Sequence, residues 1–549
     1  MSTSMGSGVS KISSLPVDTT FRLPSPLPAW PTGDGFGKGT VDLGGLLVSE
    51  VTSFTKVIAT REGGPGGNGV SFFEPSPVPE GFCMLGHYAQ ANDTPLFGWV
   101  MVGKDAKGDD GNSAGALKAP VDYTQVWRQD GPTAYIWFPV APTGYKAVGY
   151  VVTTSSDKPS LDKIRCVRDE FTDDAENGEL IWDSEGIKLY ASRPKERGIQ
   201  ASGLSAGAFM AQLSNGGKEP SPFTVHCLKN VKKSTTSAMP NLNQIKALVE
   251  VYAPWIYFDS NEQYFPSSVT WFFKNGALLY MKGKESAPVA IEPTGANLPQ
   301  GGPDDGSYWL DLPIDEAEKE RVKKGNLKDF TCYIHVKPMF GGAFTDLVFW
   351  VFYPFNGPAR AKVEFVTIKL GSLGEHIGDW EHVTLRASNM SGELKKVYFS
   401  QHNGGMWVNA SQVEYQKGNK PVVYSSYNGH AAYPKAGDVL QGIKNIGLRN
   451  DTDKGKTFVD TGASFSIVSA EHLGKDVVAE PPWLNYTRKW GPNTTNNVGK
   501  EIDTVKNALP GILKVEVEKL VGILPSEALG GEGPAGPKGK DSWSGDERS

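Results

Sequence analysis

The chain reads as a mainly β protein of two principal domains, on three observations. Its 549 residues exceed what one ordinary core organises. Its 64 glycines and 38 prolines, set among frequent Val, Tyr, Phe and Trp, suit many short strands joined by turns. A strand-rich string near the N-terminus also recurs further along, which marks symmetric β architecture rather than tandem helices.

Residues 1–19 lack the apolar stretch of a signal peptide and read as a flexible N-terminus. The domain expected over 20–215 carries the repeat. PEGFCMLGHYAQ at Pro79–Gln90 returns as PTGYKAVGYVVT at Pro142–Thr153, an offset of 63 residues. Each copy follows a matching strand start, SFTKV at Ser53–Val57 and DYTQV at Asp122–Val126. A third, degenerate copy is placed around Ile187–Gln212, and Gly81 and Gly144 serve turns. An aromatic strand, a Pro-x-Gly-aromatic turn and a Leu/Val-Gly-Tyr/His strand together resemble the membrane-associated β-prism domains of trafficking proteins. The domain is therefore expected to be β-prism-like.

Residues 216–243 are rich in Pro, Ser and Lys and read as a linker. The second domain, 244–490, opens with an amphipathic stretch at Gln244–Tyr252 and has a short helix candidate at Asp315–Lys324. Strands are expected at Phe330–Lys337, Asp346–Tyr353, Ala361–Leu370, Glu381–Ala387, Lys395–Gln401 and Val422–Ser426, which makes a β-sandwich with a few peripheral helices. Residues 491–529 carry a helical stripe, Leu513, Val517, Leu520, Val521 and Leu524, divided from Val505 and Leu509 by Pro510 and read as core packing. The Gly/Pro/charged tail, 530–549, reads as extended or disordered.

A net charge of -6 argues against nucleic acid as a partner, so attraction to anionic lipid has to be local or metal-mediated. No apolar run is long enough for a transmembrane helix. The expected location is cytoplasmic or peripheral to a membrane. Cys83, Cys166, Cys227 and Cys332 lie far apart without metal-like spacing and read as free thiols.

The densest chemistry is His376-Ile377-Gly378-Asp379-Trp380-Glu381-His382. In an extended segment Asp379 and Glu381 share one face while Trp380 and His382 take the other. Gly378 can supply the turn that folds His376 back over the carboxylates. Two carboxylates on one face repel, and burial raises the pKa of at least one unless a cation compensates. The metal-site reading is thus His376, Asp379 and Glu381 around a divalent cation, Ca²⁺ or Mg²⁺ in preference to Zn²⁺, which would bring more His or Cys. The same residues could equally form a hydrogen-bond and ion-pair network around a buried Trp380. Four of the eight histidines fall between 376 and 430. His402 and His430 sit beside glycines at strand ends and are further candidates, as ligands or supports, together with His382. Glu262 and Tyr264 are additional polar candidates.

Gly-Glu-His376-Ile-Gly-Asp379-Trp380-Glu381-His382 resembles the Gly-His-Arg-His-Asp-Trp-Glu signature of the necrosis-inducing cytolysins. Aligning Asp-Trp-Glu puts His376 on that family's first histidine and Gly378 on its second. The apolar run from Asp346 to Ala359 resembles the strand that precedes the signature, and Asn356 stands near a more distant acidic ligand. The resemblance implies a cation held by His376, Asp379 and Glu381 at a sandwich rim, engaging membrane sphingolipid. A longer resemblance spans nearly the whole chain. FRLPSPLPAWPTGDGFGKGTVDLG, RGIQASGLSAGAF, YAPWIYFDSNEQYFPSSVTWFFKNGALL, VYFSQHNGGMWV, NKPVVYSSYNGHAAYP and GGEGPAGPKGKDSWSGDE are similar to the plant vacuolar protein sorting-associated protein 62-like family, also called domain of unknown function 946.

These observations favour a membrane- or glycolipid-binding protein with a divalent-cation site, cytolytic and defensive in its sharper form and open to oligomerisation on membranes. A non-lytic vacuolar or vesicle trafficking adaptor is the second reading. A metal-dependent hydrolase using His402 or His430 as base is the third, without nucleophile elbow, phosphate loop or zinc-protease motif. An enzyme is the less favoured class.

Overall fold

The computed structural model describes residues 17, 19–65, 67–92, 94–106, 115–131, 133–184, 186–213, 223–402, 404–443, 446–494 and 531–548. The chain folds as two compact units, Met1–Leu23 with Gly39–Glu196 and Ser202–Thr235, and Pro24–Lys38 with Arg197–Ala201 and Thr236–Ser549. Strands dominate both. Among the described residues α-helices occur at Leu242–Tyr252, Val269–Lys274 and Glu316–Lys323. No helix among them is long and apolar enough to cross a membrane.

In the first unit the sequence repeat becomes a three-fold arrangement. Three antiparallel sheets have the same order: Phe54–Ala59, Val70–Pro75, Tyr88–Ala91; then Asp122–Asp130, Thr133–Val140, Val151–Thr153; then Ala175–Ser184, Ile187–Pro194, Phe209–Leu213. The two-residue strands Cys83–Met84, Tyr145–Lys146 and Gly203–Leu204 feed three companion sheets. The third copy is therefore longer than Ile187–Gln212 and begins with the strand at Ala175. All three sheets contribute to one core containing Phe72, Tyr150, Trp182 and Phe209. The copies meet at Gly86, Gly149 and Ala208, where a Cβ on Gly86 would lie 2.7 Å from the Gly149 Cα and 3.2 Å from the Ala208 Cβ. His87 donates its backbone N–H to the Tyr150 carbonyl across this junction at 2.9 Å. Gly81 and Gly144, with φ of 76° and 81°, make equivalent turns.

The second unit is built on a six-stranded sheet in the order Gly404–Asn409, Leu394–Gln401, His376–Ser388, Phe344–Asn356, Cys332–Met339, Phe465–Ser469. All thirteen residues of Phe344–Asn356 are buried, as expected of a central strand covered on both faces. One face packs on an aromatic cluster that includes Trp350, Phe352, Trp380, Trp483 and Trp490. The other meets a sheet containing Trp255–Phe258 and Lys420–Ser425, through Tyr353 against Phe258 and His430. The helix Leu242–Tyr252 starts at a capping box between Asn241 and Gln244, and Glu316–Lys323 starts where the Asp315 side chain accepts from Glu318 N–H.

Several boundaries move. Ala361–Leu370 is a hairpin, Arg360–Val363 with Val366–Lys369, because the chain reverses at Glu364 with φ of 55°. The strand expected at Glu381–Ala387 starts at His376. Cys227–Lys229, inside the expected linker, pairs with Thr172–Asp173 and Gly203–Leu204. All four cysteines are free thiols, Cys83 half-buried and the others buried. The helical stripe from Val505 to Leu524 lies outside the described residues.

The tail is not left in solvent. Trp543 is buried and stacks on the His335 ring at 3.7 Å. Lys337, itself buried, donates to the carbonyls of Ser542 and Gly545 at 2.7 and 2.9 Å. Arg386 forms a two-point pair with Asp346 at 2.8 and 2.7 Å and a further bond to Asp546 at 2.6 Å. Glu547 faces His382 at 3.1 Å and accepts from the Thr384 hydroxyl. His382, Thr384 and Arg386 alternate along the strand His376–Ser388, so the tail runs along one face of it.

Candidate functional site

The site lies where two strands part. His376–Ser388 pairs with Phe344–Asn356 over almost its full length, but with Leu394–Gln401 only from Val383 to Ala387. From His376 to His382 the second edge is open. Ser400 partly fills the gap, with its Oγ accepting from His382 N–H at 3.2 Å and donating to Glu381. A cavity of about 510 Å³ occupies the opening, and His376, Asp379 and Glu381 all line it.

Gly378 makes the local geometry. Its φ is 64°, and a Cβ there would lie 2.5 Å from the Trp490 carbonyl oxygen and 2.8 Å from its Cβ. Both backbone shape and packing therefore call for glycine. Trp380, pointing to the opposite face, is fully buried against Trp483 and Trp490.

The carboxylates are inequivalent. Burial, followed by the nearby Asp379 charge, pushes Glu381 up to about 8. Burial acts the same way on Asp379, but the hydrogen bond from His430 overcomes it and holds Asp379 below the ordinary range. His430 pairs through Nδ1 with Asp379 at 3.0 Å and through Nε2 with the Tyr264 carbonyl at 3.0 Å. Two acceptors require two N–H groups, so this ring is an imidazolium. Burial opposes that charge, while Asp379 and Glu262 raise the pKa. Glu262 in turn accepts the backbone N–H groups of Gln263, Tyr264 and Asn428, each at 2.8 Å. Tyr353 stacks on His430 at 3.8 Å, and His430 itself sits at φ of 55°.

His376 behaves oppositely. Burial lowers its pKa, and its Nδ1 donates to the Gly378 carbonyl at 3.2 Å. The neutral ring thus keeps its Nε2 lone pair. Asn356 lies directly across the ladder from His376 and also lines the cavity, with its amide donating to the Gly357 and Gly374 carbonyls. His402 reaches the wall through Asn450 at 3.1 Å.

The fold therefore brings His376, Asp379, Glu381, Asn356 and His402 to one cavity. His382 lines it too, but its Nε2 is held by Glu547. His430 supports Asp379 from behind, with both nitrogens spent. Among the described residues no three His, Cys, Asp or Glu side chains converge closely enough to hold a metal ion. The wall instead presents a neutral imidazole with a lone pair and two buried carboxyls that burden one another.

Three residues escaped sequence reasoning. Ser400 needed the strand register. Lys540 donates its ammonium to the Trp380 carbonyl at 2.7 Å and lines the same cavity, and Glu547 anchors the tail. Both sit in a segment read as extended or disordered, where an isolated tryptophan, Trp543, was the available signal of packing.

A family model described as vacuolar protein sorting-associated protein 62 matches residues 17–547. Vacuolar protein sorting-associated protein 62 of Saccharomyces cerevisiae is 25% identical over 214 residues, covering 34% of this chain and 42% of the yeast protein. The putative vacuolar protein sorting-associated protein TDA6 of the same yeast is 24% identical over 299 residues, covering 45% and 60%. The chain thus spans less than two thirds of each. Among solved structures, GNIP1Aa from Chromobacterium piscinae is 20% identical, with 38% of this chain and 40% of that one covered at a TM-score of 0.28. Necrosis and ethylene inducing protein 2, from the causal agent of cocoa's witches' broom disease, is 14% identical, with 42% and 76% covered at 0.20.

Proposed function

This chain belongs to the vacuolar protein sorting-associated protein 62 family, and from that premise we propose that it is a membrane- or glycolipid-recognising protein whose second unit takes a polar headgroup in the cavity at His376, Asp379 and Glu381. The cavity carries the reading. At about 510 Å³ it has the size of a small-ligand site, and its wall mixes carboxylates with Arg360, Arg449 and Lys540. Such a wall suits hydroxyl-rich or phosphate-bearing ligands better than an acyl chain.

In this reading a Ca²⁺ or Mg²⁺ ion is held by His376, Asp379 and Glu381, with Asn356 and His402 beside it. When bound, the ion offsets the two carboxylates and offers a positive point to headgroup oxygens. Hard cations keep water in their shell, so the three side chains need not all touch it. Asp379 is held ready by His430, and Glu381 by Ser400. The two yeast relatives, both named for vacuolar protein sorting, support use of such recognition in vacuolar sorting.

The test is cosedimentation with phosphatidylcholine vesicles, with and without plant glycosylated sphingolipid, in Mg²⁺ or in chelator. The wild type is expected to pellet with the glycolipid vesicles in Mg²⁺ and to be released by chelator, whereas Asp379→Ala stays in the supernatant. Equal pelleting with plain vesicles would refute recognition. Dye release from the same vesicles separates a cytolytic protein from a non-lytic adaptor.

A further inference from the structure

Phe365 is the most exposed large apolar side chain among the described residues, at 84% against 68% for Ile314. It stands at the two-residue tip of the hairpin Arg360–Val363 with Val366–Lys369, a turn ordinarily made by Asn, Asp or Gly. A single exposed apolar residue needs no explanation by itself, but the setting of this one does. The hairpin joins the two strands that frame the cavity, Phe344–Asn356 and His376–Ser388, which bring Asn356 opposite His376. Its base is closed at Ala359, whose N–H donates to the Leu373 carbonyl at 2.8 Å and whose carbonyl accepts from Leu370 N–H at 3.1 Å. The pairing sets Arg360, Lys362, Thr367 and Lys369 on one face, and Arg449 joins them by donating to the Thr367 hydroxyl at 2.7 Å. Arg360 and Arg449 line the cavity and are matched by Asp451 and Asp438, whereas Lys362 and Lys369 make no ion pair among the described residues. A strip with positive charge to spare therefore runs from the cavity wall to an apolar tip, in a chain whose net charge is -6.

We propose that this hairpin docks the second unit on an anionic lipid surface, with Phe365 entering the acyl boundary while Lys362 and Lys369 meet the charged headgroups. This rests on the membrane reading above and adds the part that touches the bilayer. An aromatic ring suits the boundary, and lysines near it are drawn to anionic lipid. At about 3.4 Å per residue the strand carries the tip about 13 Å beyond Arg360, whereas a headgroup layer is about 5–8 Å deep. A ring at the acyl boundary of an upright hairpin thus leaves the Arg360 wall of the cavity just outside the headgroups, where a projecting one can enter.

The experiment puts a polarity-sensitive nitrobenzoxadiazole label at the tip, as Phe365→Cys in a Cys83→Ser background of the full chain, and adds phosphatidylcholine vesicles with or without phosphatidylserine. Chelator and the absence of glycolipid keep headgroup recognition out of the readout. The emission is expected to rise and shift to the blue with phosphatidylserine, and to stay unchanged when the label sits instead at Val289→Cys, another exposed site of the second unit. In cosedimentation with the same vesicles, Phe365→Ser is expected to lower partitioning at least about tenfold, and Lys362→Gln with Lys369→Gln roughly thirtyfold. These variants keep the wild-type unfolding midpoint, since none of the three side chains is buried. An unchanged spectrum at residue 365 overturns the docking, and leaves the headgroup reading standing where glycolipid vesicles still pellet the protein. A dimer in lipid-free light scattering that Phe365→Ser converts to a monomer assigns the ring to a second copy and overturns the docking as well. No pelleting with any vesicle overturns both.

Discussion

Replacing Glu547 by glutamine tests whether the tail is a charge-matched part of the fold. The carboxylate is nearly inaccessible, with 2% of its side chain exposed, and lies 3.1 Å from His382. Burial alone would raise its pKa, but His382, Lys337 and Thr384 hold it at about 2 against an ordinary 4.5. At about 1.4 kcal/mol per unit this preference for the ionised form amounts to about 3 kcal/mol, the range found when one partner of a buried ion pair is removed. The folded pKa is depressed, so the stabilisation is full above 4.5 and fades as pH falls through about 2. Glu547→Gln keeps the size and can still accept from Thr384, but lacks the charge. Hydrogen exchange of residues 541–548 at pH 7 should therefore speed up by roughly a hundredfold, about 3 kcal/mol of local opening, with the difference shrinking toward pH 2. Protection of that segment within about threefold of wild type at pH 7 would refute the reasoning.

Three further substitutions probe the scaffold. Gly378→Ala forces a methyl against Trp490 and into a positive φ, so thermal unfolding should show a loss of about 2–4 kcal/mol in the second unit, and an unchanged midpoint would contradict the close approach. Gly86→Ala, at the meeting point of the three repeats, should cost the first unit about 1–3 kcal/mol in urea unfolding. His87 is buried, with its Nδ1 accepting from Val152 N–H at 3.2 Å, and burial pushes its pKa down to about 3 from 6.5. The unfolded chain binds more protons between those values, so stability is full above 6.5 and falls toward acid by up to about 1.4 kcal/mol per pH unit. In urea titrations at pH 7 and pH 4.5, His87→Asn should lose much less than wild type.

What could be read from the residues alone was whatever local periodicity encodes. Face alternation around Asp379-Trp380-Glu381 follows from the two-residue period of a strand, and the repeat announced itself because turn glycines recur with their neighbours. The hairpin at Glu364 was hidden because Glu-Phe carries no turn signal and continues the apolar alternation of Ala361–Leu370. Lys540, Asp546 and Glu547 reach partners some 160 positions earlier, a distance over which no pattern survives. His430 could be named but not assigned, since only the fold decides whether its nitrogens face a cavity or Asp379 and Tyr264.

The two units also differ in how far the chain must search to build them. Each prism sheet closes within a single repeat, as Phe54–Ala59, Val70–Pro75 and Tyr88–Ala91 do. In the second unit Trp255–Phe258 pairs in parallel with Lys420–Ser425, and Cys332–Met339 with Phe465–Ser469. Such distant partners carry a loop-closure cost before they return any contact, which slows folding. The repeats should accordingly form first and the sandwich later, leaving its apolar strands uncovered for longer. Recombinant yield would then hinge on temperature and chaperone supply during that interval, and losses to aggregation would originate in the second unit.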